Sequence, residues 1–76
     1  MNVGKFIAWR EFIQNNPQLG GKYSVEWLYR HHRREAFERG AVLILNRKRI
    51  VNQEKYLEML TEIALEQTSA IFKSGS

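Results

Sequence analysis

Apolar residues recur at helical spacing along most of this chain, and one central run is apolar without interruption. From Lys5 to Asn16 the apolar positions are Phe6, Ile7, Trp9, Phe12 and Ile13. Trp9, Phe12 and Ile13 share one side of a helix, whereas Phe6-Ile7 suits an extended lead-in. Pro17 disfavours helical geometry at Asn16, so the first helix is expected to end there. Pro17 to Lys22 reads as a loop in which Gly20-Gly21 permit positive φ and Leu19 anchors to the core. Ser24 is the expected N-cap of a second helix, with Glu26 in its first turn. Val25, Leu28, Tyr29, His32 and Ala36 then form its apolar stripe, which weakens around Arg33 to Arg39 and stops at Gly40.

The uninterrupted run, Val42 to Leu45, leads into a basic turn, Asn46-Arg47-Lys48-Arg49, and a second apolar pair, Ile50-Val51. This pattern predicts a two-stranded hairpin. Asn52 is a suitable N-cap for a third helix with Tyr56, Leu57, Leu60, Ile63 and Ala64 inward and Glu54 and Glu58 outward. Beyond Gln67 the helical pattern fades, so positions 68–76 are expected to be a flexible tail, as are 1–4 at the other end. Ile71 and Phe72 are candidates for folding back or meeting a partner. The expected fold is mostly α with a small β-hairpin. In the order helix, helix, two-stranded wing, helix, that is a winged helix-turn-helix in one domain.

Charge sharpens this picture. The net charge is +4, and the block from Arg30 to Arg49 holds seven cations against two acids, a balance of +5. The rest of the chain is slightly acidic. Concentrated positive charge suits a polyanion such as nucleic acid, or an acidic protein surface; its bland reading is a solvated face. The chain has no cysteine, which removes disulfides and thiolate metal sites. Neither a signal-peptide pattern nor an apolar run of membrane length is present, so a soluble, cytoplasmic protein with no membrane partner is expected.

Catalysis is not expected. His31 and His32 are adjacent and point about 100° apart on a helix, a poor start for a shared metal site. There is no aspartate, and Glu54 with Glu58 is an i, i+4 pair on a solvated face, not a converging acid pair. No phosphate-binding glycine loop is present, and no cofactor is expected. Candidate DNA contacts are Arg30, His31, Arg33 and Arg34 on the second helix and Arg47, Lys48 and Arg49 on the hairpin. Each group also has a structural reading: Arg34 with Glu38 suits an i, i+4 pair, and basic turns deter edge pairing. Trp27 is assigned to the core or its rim, and Tyr29, Phe37, Leu57 and Leu60 to packing.

The segment SVEWLYRHHRREAFERGAVLILNRKRIVNQEKYLEML, from Ser24 to Leu60, resembles the small winged-helix DNA-binding proteins of the excisionase family and the related MerR-like helix-turn-helix group. The resemblance lies in a helix with Leu-Tyr-Arg, a glycine before the first wing strand, a basic turn and a closing helix. It implies that the second helix enters the major groove of double-stranded DNA while the wing holds backbone or minor groove. Arg30 and its neighbours would read bases, and Arg47, Lys48 and Arg49 would hold phosphates. A role in directing site-specific recombination or regulating transcription on a phage or mobile element follows, with an integrase or further copies of the chain (a dimer or an array) as partners. The Asn15–Lys22 loop is longer than the usual tight turn, and Asn46 stands where the family often has glycine. The rival from another class is a small adaptor docking an acidic protein. RNA binding ranks below both, because few aromatic residues are expected to be exposed for stacking bases.

Overall fold

The computed structural model describes residues 3–74. A 3₁₀ turn, Val3–Lys5, leads into strand β1 (Phe6–Ala8), which runs directly into helix α1 (Trp9–Asn15). A second 3₁₀ turn, Pro17–Leu19, precedes helix α2 (Lys22–Glu38). Strands β2 (Val42–Leu45) and β3 (Lys48–Asn52) form the hairpin, and helix α3 (Gln53–Ser74) closes the chain. The extended lead-in at Phe6-Ile7 is a third strand of the same sheet. The antiparallel order is β1-β3-β2, with Ile7 opposite Val51 and Val42 also opposite Val51. The hairpin is therefore one edge of a three-stranded sheet, not an isolated two-stranded wing.

The basic turn is shorter than the sequence pattern suggests. Only Asn46 (φ 52) and Arg47 (φ 64) lie in it, both left-handed, and Lys48 and Arg49 belong to β3. Two consecutive positive-φ residues give the two-residue hairpin geometry whose twist matches that of the strands. Asn tolerates this conformation, whereas Arg47 carries a Cβ that costs about 1–2 kcal/mol there.

Helix α2 begins at Lys22, two residues before the expected cap at Ser24. Gly21 (φ 89) is the N-cap, with no side-chain hydrogen bond, and its carbonyl accepts from the Val25 amide at 3.0 Å. The stripe expected from periodicity is unaffected by the earlier start: Val25, Tyr29 and Ala36 are buried. At its other end, Gly40 (φ 69) donates to the Phe37 carbonyl at 3.1 Å, and Ala41 donates to the Ala36 carbonyl at 2.9 Å. This pair of bonds ends the helix as a Schellman motif. The expected weakening of α2 is a kink at His32 (φ −127, ψ 19), after which the chain stays helical to Glu38.

Asn52 caps α3, its Oδ1 accepting from the Lys55 amide at 3.2 Å. Tyr56 and Met59 are fully buried, with Leu57, Leu60 and Ile63 packed around the core. The anticipated loss of helix after Gln67 does not occur: α3 runs to Ser74. Of the ends expected to be flexible, Met1, Asn2, Gly75 and Ser76 lie outside the described residues.

Trp9, Phe12, Tyr29 and Tyr56 form an aromatic cluster at the centre. Ring centroids are 5.1 Å apart for Trp9–Tyr29 and for Phe12–Tyr56, in edge-to-face arrangements. Buried Asn16 ties the loop to α3. Its Nδ2 donates to the Phe12 carbonyl at 2.9 Å and to Gln53 Oε1 at 3.1 Å.

Candidate nucleic-acid interface

Side-chain parity in β3 decides where its cations go. Successive residues of a strand point to opposite faces. Arg49 therefore shares the inward face with Val51, and Lys48 takes the outward one. Arg49, paired across the strands with Ile44, is drawn inside instead of standing at the hairpin tip. Its guanidinium donates twice to Glu26 of α2, Nη2 to Oε1 at 2.8 Å and Nη1 to Oε2 at 3.2 Å. It also lies 4.7 Å from the Trp9 ring centroid and 4.8 Å from that of Tyr29. Trp9 Nε1 donates to the same Glu26 carboxylate at 2.9 Å. The Arg49 hydrogen bond is the main reason the Glu26 carboxyl is held below its usual range; partial burial opposes it, and Trp9 and the nearby Arg30 charge assist. This knot locks the hairpin to the first half of α2.

The other predicted residues divide by partner. Arg34 Nε donates to Glu38 at 3.2 Å, as its spacing suggested, on a fully solvated face. Arg39, counted in the cationic block, is ion-paired with Glu35 at 2.9 Å and with Glu62. His31 stacks on Trp27 with centroids 4.0 Å apart, and its Nδ1 donates to the Trp27 carbonyl at 2.9 Å. Arg33, Arg47 and Lys48 are exposed and have no ion-pair partner among the described residues. Arg30 is exposed next to Glu26. The kink at His32 separates Arg30 from Arg33 and Arg34, so they do not line one straight helical face as the unbroken pattern implied.

Two aromatic residues join this surface. Trp27, assigned to the core or its rim, is 57% exposed, and Tyr23 is 91% exposed. Tyr23, Trp27 and Arg30 recur at i, i+4 and i+7, opposite the buried Val25, Tyr29 and Ala36. The signal was present in the sequence but needed the helix to begin at Lys22. Lys22 and Arg10 line an open cleft of about 410 Å³ beside Trp9, Glu26 and Arg49. Both are cations outside the block that the charge count singled out.

Among the described residues, no group of three or more His, Cys, Asp or Glu is arranged to hold a metal ion, and no helix is long and apolar enough to cross a membrane. No protein-family model, curated protein or solved structure matches this chain. What the geometry defines is a small, mostly helical protein with a three-stranded antiparallel sheet. One helix carries an outward aromatic and cationic stripe, and a short ribbon carries two cations without an ion-pair partner among the described residues.

Proposed function

We propose that this chain is a winged-helix protein that binds double-stranded DNA sequence-specifically, without catalysis of its own. In this reading α1 and α2 are the helix pair, and the β2–β3 ribbon is the wing. The observation that carries it is the outward stripe Tyr23, Trp27 and Arg30, tied through Glu26–Arg49 to the ribbon bearing Arg47 and Lys48. A helix side presenting an arginine flanked by aromatic rings suits base edges in a major groove, because guanidinium can donate twice to guanine. The ribbon cations supply phosphate contacts, which hold without reading sequence. Arg49 is a positioning residue in this scheme. Recombination directionality or transcriptional control on a phage or mobile element, with an integrase as partner, is the biological role that the resemblance suggests.

Fluorescence anisotropy on duplexes selected from a random pool tests this. Four phosphate contacts (Lys22, Arg33, Arg47 and Lys48) at about 0.9 per phosphate give a log–log salt slope of about −3.6. Lys48→Ala should reduce that slope by about 1 for every sequence, while Arg30→Ala should lose about 1–3 kcal/mol of discrimination at one base pair. Salt-insensitive binding, or a random pool that yields no preferred site, refutes the reading. Trp27 and Tyr23 also favour docking of an acidic protein, since exposed aromatics anchor protein interfaces. That alternative predicts no enrichment of duplex sequences at all.

A further inference from the structure

The end of α3 leaves the body of the molecule. Ile63 is its last residue packed on the core, and the helix continues from Ala64 to Ser74. At 1.5 Å per residue that adds roughly 16 Å, in keeping with the elongated 48 × 24 × 18 Å shape. This projection is amphipathic. Positions 64, 65, 68, 71 and 72 form one stripe at i, i+1, i+4, i+7 and i+8, with Glu62, Glu66 and Ser69 opposite. Leu65, Ile71 and Phe72 are 65%, 68% and 74% exposed. Contiguous large apolar side chains left in water on such a projection mark an interaction surface.

We infer that the cover is a second copy: two α3 projections cross antiparallel about a two-fold axis at Thr68. Area supports this occupant. The exposed fractions of the three large side chains amount to roughly 400 Å² per copy, taking about 200 Å² for each side chain. With Ala64, Thr68 and the flanking turns, a pair buries at most roughly 1,100 Å², the size of a weak, reversible interface. Size complementarity supports the orientation. Centred on Thr68, the pairing sets Ala64 against Phe72 and Leu65 against Ile71, so the largest side chain covers the smallest. A parallel pair would oppose Phe72 to Phe72 and leave a gap at Ala64. The stripe is uncharged, so it does not select an acidic or basic partner. Antiparallel crossing also sets the two Ile63 positions roughly 15 Å apart along the axis, which separates two chains of net charge +4. This assembly does not rest on the DNA-binding reading.

The cysteine-free sequence supplies a clean test on the full chain. Under mild oxidation Thr68→Cys should link to itself, and Ala64→Cys mixed with Phe72→Cys should link more than either alone. Sedimentation equilibrium of the unmodified chain should show a concentration-dependent dimer. Leu65→Glu/Phe72→Glu should weaken it at least about 100-fold, with near-ultraviolet circular dichroism unchanged because neither residue is in the core. A chain monomeric up to about 1 mM overturns the inference and leaves the stripe to an unrelated protein. Self-linking of Ala64→Cys as efficient as that of Thr68→Cys overturns the antiparallel pairing. A dimer undiminished in Leu65→Glu/Phe72→Glu overturns the location.

Discussion

Replacing Arg49 separates folding from binding, because its guanidinium is engaged within the fold. Arg49→Ala removes a two-pronged ion pair to Glu26 and the stacking on Trp9 and Tyr29. The pair is partly buried, with Arg49 30% and Glu26 25% exposed, so its loss falls between two limits. An exposed pair contributes about 0.2–1 kcal/mol, and a buried one leaves an uncompensated charge costing about 3–5 kcal/mol when one partner goes. Cation–π contact adds about 0.5–2 kcal/mol. Together these give a destabilisation of about 2–3 kcal/mol, or a drop in Tm of roughly 8–20 °C for a domain of this size. Urea denaturation followed by tryptophan fluorescence measures it, since Trp9 sits in the knot. A double-mutant cycle with Glu26→Gln should return a coupling of about 1–2 kcal/mol. The pH dependence follows from the depressed Glu26 carboxyl, whose main cause is the Arg49 hydrogen bond. Glu26 binds its proton more weakly in the folded chain. Its stabilisation is therefore fully present above the ordinary glutamate value, about 4.3, and fades as pH falls through the folded value. Glu26→Gln should flatten that acid limb. Arg49→Ala with unchanged stability, and with a loss of DNA affinity and salt slope equal to that of Lys48→Ala, would refute the knot and return Arg49 to the binding surface.

Two further substitutions probe the fold. The Tyr56 hydroxyl is buried without a hydrogen-bond partner among the described residues, and burial pushes its pKa well above the usual tyrosine value. Tyr56→Phe should therefore leave stability unchanged or raise it by about 1 kcal/mol in urea denaturation, where an ordinary hydrogen-bonded tyrosine would lose that amount. Arg47→Gly should relieve the left-handed turn and stabilise the hairpin by about 1 kcal/mol while weakening DNA binding through the lost cation, so thermal melts and anisotropy should move in opposite directions.

Much of the chain is decided by local physics, and those parts are legible in the sequence. Asn52 caps α3 because its side chain reaches the Lys55 amide three residues on, an interaction that needs no distant partner. Gly40 ends α2 because the left-handed position of a Schellman motif suits a residue without a Cβ. The inward stripe of α2 and the hairpin both follow from periodicity, as does the Arg34–Glu38 pair. The cationic surface is legible only as a count, because charge along a chain does not say which members are neutralised across space.

Tertiary structure decided the rest. A two-residue turn, chosen by strand twist over a four-residue one, puts Arg49 on the same face as Val51 and delivers it to Glu26, twenty-three residues away. Starting α2 at Lys22 brings Tyr23 onto the helix one turn before Trp27, and packing leaves both rings outside the buried stripe of Val25, Tyr29 and Ala36. Arg39 is removed from the cationic surface by Glu62 of α3, and Phe6–Ala8 becomes a strand only because β3 offers it an edge. The α3 projection is the reverse case. Local pattern faded there, yet the helix continues and carries an apolar stripe that the core does not use. The sequence by itself determined the three helices and the hairpin, the caps at Asn52 and Gly40, and the excess of positive charge, because these depend on neighbours a few residues apart. Which cations face solvent, and which aromatic rings stand beside them, was decided only by packing, because distant carboxylates and strand parity select among them.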